Sequence, residues 1–287
     1  MKNTFVLRLA GLLCVAEFLA VGADAPEKNT PATNAVAEKP YSIKESNDGK
    51  KLVVNGKEYG PYEYLPPQNP VCLTPDRRHW ISFVKKGGGK EFFVVDGREY
   101  PSPVKAGGSF NYGLSENGEK WAACVESIVA SPKDRSVYAL IQGKPYGPYA
   151  WVSGRQKNWL PVLSANGKTA GFVGWKKDKS FVVVINDTEY GPYKKVSDLW
   201  INAEGNLWVI WVRKAEGQYV VLNGKEYGPY LWTSPVFLSP DQTSWAFYAG
   251  KQQASSQEMV TVMNGTESPG ISAAAKDLSS YVTPFDF

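Results

Sequence analysis

Short apolar runs recur along this chain at intervals of about forty residues: LVV at 52–54, FFVV at 92–95, YALI at 138–141, FVVVI at 181–185, YVVL at 219–222 and MVTVM at 259–263. Their β-branched and aromatic content predicts strands. Each run leads directly into a version of N-G-K-E-Y-G-P-Y. The motif is complete at 55–62 and 223–230 and degenerate from Asp96 (DGREYPSP), Gln142 (QGKPYGPY), Asn186 (NDTEYGPY) and Asn264 (NGTESPGI). Asn55-Gly56 and Asn223-Gly224 are pairs that suit a two-residue type I′ turn, because both central residues need positive φ. The chain is therefore expected to double back through K-E-Y as a second strand. Gly-Pro is expected to break that strand and to lie on an outer edge, since proline cannot donate to a ladder.

A second repeated element precedes each hairpin: LTPDRRHWISFV from Leu73, LSENGEKWAACV from Leu114, LSANGKTAGFVG from Leu163, INAEGNLWVIWV from Ile201 and LSPDQTSWAFYA from Leu238. It too reads as strand, tight turn, strand. An Asp, Asn or Glu at 76, 117, 166, 204 and 241 is placed to accept backbone amides in the turn. Trp80, Trp121, Trp208 and Trp245, with Ala170 in the odd copy, share one register and are expected to wedge between neighbouring units.

The second residue of each hairpin falls at 56, 97, 143, 187, 224 and 265, steps that suit a propeller blade. Four strands in each of six units predict an all-β fold, a six-bladed β-propeller of four-stranded antiparallel blades over residues 41–287. The first unit, residues 41–62, lacks room for four strands. C-terminal strands around 280–287 are expected to complete it and close the ring.

The S-P-D or S-x-N-G turn followed by a Trp-led apolar strand, as in LTPDRRHW and LSPDQTSW, resembles the TolB-type, WD40-like propeller repeat of bacterial exported proteins, over about five of the six units. The resemblance implies an envelope protein that binds another protein with a propeller face. Two features differ from that family: residues 1–40 predict no α/β domain of the TolB kind, and the N-G-K-E-Y-G-P-Y hairpin is not part of its usual motif.

The N-terminus bears on compartment. Lys2 and Arg8, an apolar stretch, and Val21-Gly22-Ala23 before Asp24 read as a secretory signal peptide over 1–23, and Glu17 argues against a retained membrane anchor. Residues 24–40 read as a flexible linker. The expected protein is exported, periplasmic or extracellular, with no membrane span after cleavage. Beyond the signal only Cys72 and Cys124 remain, both in apolar runs and read as buried thiols, with one bridge still open.

Composition removes several functions. The formal net charge of +4 is too weak to indicate nucleic acid. His79 is the one histidine, which leaves no multi-His zinc site, and its place before Trp80 reads as an exposed turn residue. No hydrolase or phosphate-loop motif is present, Gly87-Gly88-Gly89 reads as a loose hairpin, and no cofactor or metal is expected. The expected function is a non-catalytic protein-interaction scaffold whose partner is another envelope or secreted protein. A glycan-binding propeller, suggested by 16 Tyr and 10 Trp, is the first alternative, and a propeller hydrolase or lyase the second.

Loop lengths place the binding side. The S-P-D and N-G turns share one side and are uniform, whereas the second-to-third-strand loops and the inter-unit connections vary on the other. There Arg155, Lys157 and Trp159 form a basic and aromatic cluster, with Trp200 in the 195–200 connection as a further candidate. Trp151 and Trp232 occupy the second position after G-P-Y, as Tyr64 does, and are expected to pack structurally.

Overall fold

The computed structural model describes residues 40–67, 70–127, 134–154, 159–239, 241–253 and 256–270, all within the unit Lys39–Phe287. The expected signal peptide, nearly all of the linker and the closing strands at 280–287 lie outside the described residues.

The described residues form six antiparallel sheets, one for each repeat. Unit 2 is representative: Cys72–Leu73, Trp80–Lys86, Lys90–Val95 and Arg98–Pro101 lie side by side in chain order. Units 3 and 5 repeat this arrangement. Units 4 and 6 split the first strand in two, Trp151–Ser153 with Val162–Leu163 and Trp232–Thr233 with Phe237–Leu238. Unit 1 has three strands, Tyr41–Ser46, Gly49–Val54 and Lys57–Tyr62.

The hairpin turns follow from their residues. At all six, φ is 42–52° at the first turn residue and 71–87° at the second, the left-handed pair that Asn-Gly and Asp-Gly tolerate best. The first residue also ties the turn to the second strand of its own unit. The Asn223 side-chain oxygen accepts the Trp208 N–H at 2.9 Å, and Asp96, Gln142, Asn186 and Asn264 do the same for Trp80, Trp121, Ala170 and Trp245.

Gly-Pro does not break the outer strand. Lys57–Tyr62, Lys144–Tyr149, Thr188–Tyr193 and Lys225–Tyr230 run through it as edge strands, with a cis Gly-Pro peptide and a one-residue register shift opposite, as at Lys50/Leu52. A bulge accommodates the missing donor where no neighbouring strand needs it. Two expected connections are also strand: residues 105–110 enter Ala106–Leu114, and 195–200 belong to Lys195–Ile201.

Five apolar cores lie between consecutive units. At each, the tyrosine of one hairpin packs on the next unit: Tyr59 on Trp80 (4.8 Å between ring centroids), Tyr100 on Trp121 (4.9 Å), Tyr190 on Trp208 (4.9 Å) and Tyr227 on Trp245 (5.2 Å). Where Ala170 replaces the tryptophan, Phe172 meets Tyr146 at 5.5 Å instead. The same tyrosine also covers the next turn's second residue. A Cβ on Gly97 would come within 2.5 Å of Tyr59, and where unit 4 has Asp187 the Tyr146 hydroxyl bonds its carboxylate.

Candidate functional site

Each sheet has a turn end and a loop end, and they differ in chemistry. At the turn end the polar groups are consumed by the fold. The Thr74 hydroxyl donates to Asp76 and accepts the His79 N–H, and Ser115, Ser164 and Ser239 repeat the pattern with Asn117, Asn166 and Asp241. Unit 5 departs from it: Asn202, rather than Glu204, accepts the Asn206 and Leu207 amides. Successive turns then join. Asn117 Nδ2 donates to the Asn166 carbonyl at 2.7 Å, Asn166 Nδ2 to the Glu204 carbonyl at 2.7 Å, and Asn202 Nδ2 to the Gln242 side-chain oxygen at 2.8 Å.

His79 belongs to this end. Its Nδ1 is 2.8 Å from Asp96 Oδ2 and its ring lies against Gly118, where any Cβ would collide with it. Asp96 meanwhile holds the Trp80 N–H, so the His-Asp pair closes a turn rather than facing a cleft.

The loop end carries the variation, concentrated in one row of cross-strand pairs. The cross-strand pairs of the second and third strands that lie five residues before each hairpin turn are Glu45 and Lys50 in unit 1, Lys85 and Glu91 in unit 2, Glu126 and Val137 in unit 3. They are Trp175 and Phe181 in unit 4, Arg213 and Gln218 in unit 5, Gly250 and Met259 in unit 6. On the first strand the row continues with Tyr64, Trp151, Lys195 and Trp232 in units 2, 4, 5 and 6. Directly paired residues share a face, so each row presents its side chains side by side.

Unit 4 presents an aromatic strip. Trp151 is 38% and Trp175 39% exposed, Trp175 stacks on Phe181, and Trp159 packs edge-on against Trp151 at 4.8 Å. Arg135 lies 5.7 Å over the Trp159 ring and pairs with Glu126. Unit 6 has Trp232, 37% exposed, resting on Gly250, where a Cβ would come within 2.2 Å of the indole. Trp151 and Trp232 therefore each pack with one face and show the other, whereas packing alone was expected. Tyr64, their counterpart, is half-buried under Lys85.

Between units 5 and 6 the same end holds a cleft of about 390 Å³. Lys195, Arg213, Gln218 and Asp198 contribute from unit 5, the Trp211 indole forms a wall, and Thr233, Ser234 and Pro235 close the unit 6 side. Trp211 Nε1 donates to the Ser234 carbonyl at 3.3 Å, which fixes the ring.

Of the residues singled out from sequence, Arg155 and Lys157 lie outside the described residues. Trp159 is half-buried against the core between units 3 and 4. Trp200 is 7% exposed and belongs to the core between units 5 and 6, so it supports the cleft from behind rather than offering a surface. Trp175, Lys195, Arg213 and Trp211 were missed. A signal for them exists: each sits at a fixed offset from a repeated landmark, Trp175 and Arg213 both twelve residues after the leading Leu163 or Ile201. Cys72 and Cys124 are not joined in a disulfide, and burial pushes the Cys124 thiol well above its ordinary range.

No protein-family model matches the chain, and no curated protein matches it in sequence. Solved structures do match. A candidate TolB from Agrobacterium tumefaciens is 12% identical, with 77% of this chain and 84% of that chain covered and a TM-score of 0.31. TolB from Acinetobacter baumannii is 9% identical over 80% of this chain and 63% of that chain, with a TM-score of 0.29. The β-propeller domain of the Trilobed protease from Pyrococcus furiosus is 13% identical over 79% of this chain and 78% of that chain, with a TM-score of 0.31. These likenesses concern the fold alone.

Proposed function

We propose that the protein is an exported, non-catalytic scaffold that captures another envelope or secreted protein with its loop end, without cofactor, metal or nucleic acid. The observation that carries the reading is the unit 4 strip. Two tryptophans, each more than a third exposed, lie side by side on a rigid sheet at the end where the repeat varies. Tryptophan on a fixed scaffold loses little entropy on binding and is enriched among residues that dominate interfaces. The turn end argues for a structural role, because its side chains are spent on one another. Export rests on the sequence of residues 1–23.

The test is capture at a defined position. A photo-crosslinking residue in place of Trp175 should form adducts with a discrete partner in envelope material, while one in place of the exposed Glu116 at the turn end should not. With the probe at 175, adding Trp151→Ala as the second change should abolish those adducts at an unchanged melting temperature. Adducts from both positions alike, or capture that survives the double change, would refute the reading.

We further infer a ring of six blades. Unit 1 has one apolar face packed on unit 2, and its strand Tyr41–Ser46 is exposed where the second strands of other units are buried. The far face of unit 6 carries Ala246, Tyr248 and Met263 with no further unit among the described residues. The innermost strand this ring still needs is the one expected from 280–287, which lie outside the described residues. Deleting 277–287 should abolish cooperative unfolding, and a truncated chain that melts like its parent would defeat closure.

A further inference from the structure

The loop-end row shows where charge is balanced and where it is not. In unit 1 Lys50 pairs with Glu45 at 3.4 Å; in unit 2 Lys85 pairs with Glu91 at 2.8 Å; in unit 3 Glu126 pairs with Arg135. Unit 5 breaks the rule. Arg213 stands where Lys85 stands in unit 2, but its cross-strand partner is Gln218 in place of Glu91. Lys195 lies directly opposite Arg213 on the adjacent strand. Two like charges placed opposite each other on one face destabilise a sheet, and no carboxylate pairs with either among the described residues.

These two cations line the 390 Å³ cleft, a volume at the lower end of the range for small-ligand sites. Its other walls are not those of a bare anion site. The Trp211 indole is held in place by Ser234 and offers an apolar wall, and Thr233, Ser197 and Gln218 offer hydroxyl and amide groups. Asp198, whose Oδ1 accepts the Leu199 N–H at 2.8 Å, places a carboxylate in the same lining. A carboxylate there disfavours a multiply charged phosphate and suits a neighbour rich in hydroxyls.

We propose that the cleft between units 5 and 6 binds an acidic saccharide, a sugar ring bearing a carboxylate. The ligand carboxylate takes the place that Glu91 holds in unit 2, bridging Arg213 and Lys195. The ring lies against Trp211, and its hydroxyls meet Asp198, Ser197 and Thr233. This site is separate from the unit 4 strip, so its failure and the failure of protein capture are distinguishable.

Calorimetric titration of the full chain with tri-galacturonate, maltotriose, acetate and inorganic phosphate tests the proposal. Tri-galacturonate is expected to saturate one site and to bind at least tenfold more tightly than maltotriose, with affinity falling as salt is raised. Gln218→Glu is the decisive variant. It rebuilds the unit 2 pairing inside the cleft, nearly isosterically, and should weaken tri-galacturonate binding at least tenfold at an unchanged urea midpoint. Lys195→Ala with Arg213→Ala should do the same, and Trp151→Ala with Trp175→Ala should leave the titration unchanged. No saturation by tri-galacturonate, equal binding by Gln218→Glu, or acetate or phosphate binding as tightly would each overturn it.

Discussion

Asn223 is a single side chain whose removal isolates what the repeated hairpin contributes. Its oxygen accepts the Trp208 N–H at 2.9 Å, its Nδ2 donates to the Asn206 carbonyl at 3.0 Å, and its backbone sits at φ 47°. Trp208 is buried, so Asn223→Ala leaves its N–H without that acceptor at a cost of about 1–3 kcal/mol. The bond to Asn206 is exposed and is worth about 0.5 kcal/mol. Holding alanine in the left-handed region adds about 1 kcal/mol. Asn223→Ala should therefore destabilise by about 2.5–4.5 kcal/mol.

Two companion changes separate these contributions. Asn223→Gly should recover about 1 kcal/mol of the alanine loss, because glycine removes the backbone penalty but not the lost bonds. Asn223→Asp should cost less than about 1 kcal/mol, since Asp96 already performs the same role for Trp80 at 2.8 Å in unit 2. Urea unfolding at constant m-value reads all three. An alanine loss below about 1 kcal/mol, or an aspartate variant as unstable as the alanine one, would refute the claim that the side-chain acceptor holds the turn to the second strand.

The remaining predictions address packing and pH. Trp208→Ala removes the ring that meets Tyr190 and should cost about 3–5 kcal/mol, whereas Ala170→Trp forces an indole into a site already filled by Phe172 and should itself cost about 1–3 kcal/mol; urea midpoints check both, and a stabilised Ala170→Trp would contradict the packing described. Burial first, and the neighbouring carboxylates Glu99, Glu189 and Glu226 second, push the Tyr62, Tyr149 and Tyr193 hydroxyls up to about 12. An unfolded tyrosine titrates near 10, so the folded state resists losing these protons: their contribution is complete below about pH 10 and is lost as pH rises towards 12. Tyrosinate absorbance followed with melting temperature should show stability falling across that window, and a flat profile from pH 9 to 12 would contradict the burial assigned to the repeated tyrosines.

The fold was legible because its rules are local and written repeatedly. Asn-Gly demands positive φ, β-branched runs demand extended backbone, and a tryptophan at one register demands a neighbour to cover it. Errors arose where one residue type permits two local outcomes. Proline forbids a ladder bond but not a strand, so on an edge it produced a bulge instead of an end. Residues 195–200 lack the β-branched density of a core strand, yet they pair along their length with Trp208–Arg213 because the neighbouring strand supplies the partners.

The binding end was legible as a side, not as residues, and the reason is physical. Loop length revealed which end varies, but the chemistry that distinguishes the units sits in one cross-strand pair at a fixed register, inside regular structure. Arg213 reads as an ordinary surface charge until Lys85 and Glu91 are seen to occupy the same register in unit 2 as a matched pair. Trp200 shows the converse. It stands next to a varying connection and reads as a surface anchor, yet strand alternation turns it inward, because Leu199 and Trp200 alternate between the cores on the two faces of unit 5. A repeat protein offers its own comparison set. The position whose charge is matched in units 1 to 3 but not in unit 5 is where a ligand has something to replace, and in this chain that position is Arg213 opposite Gln218.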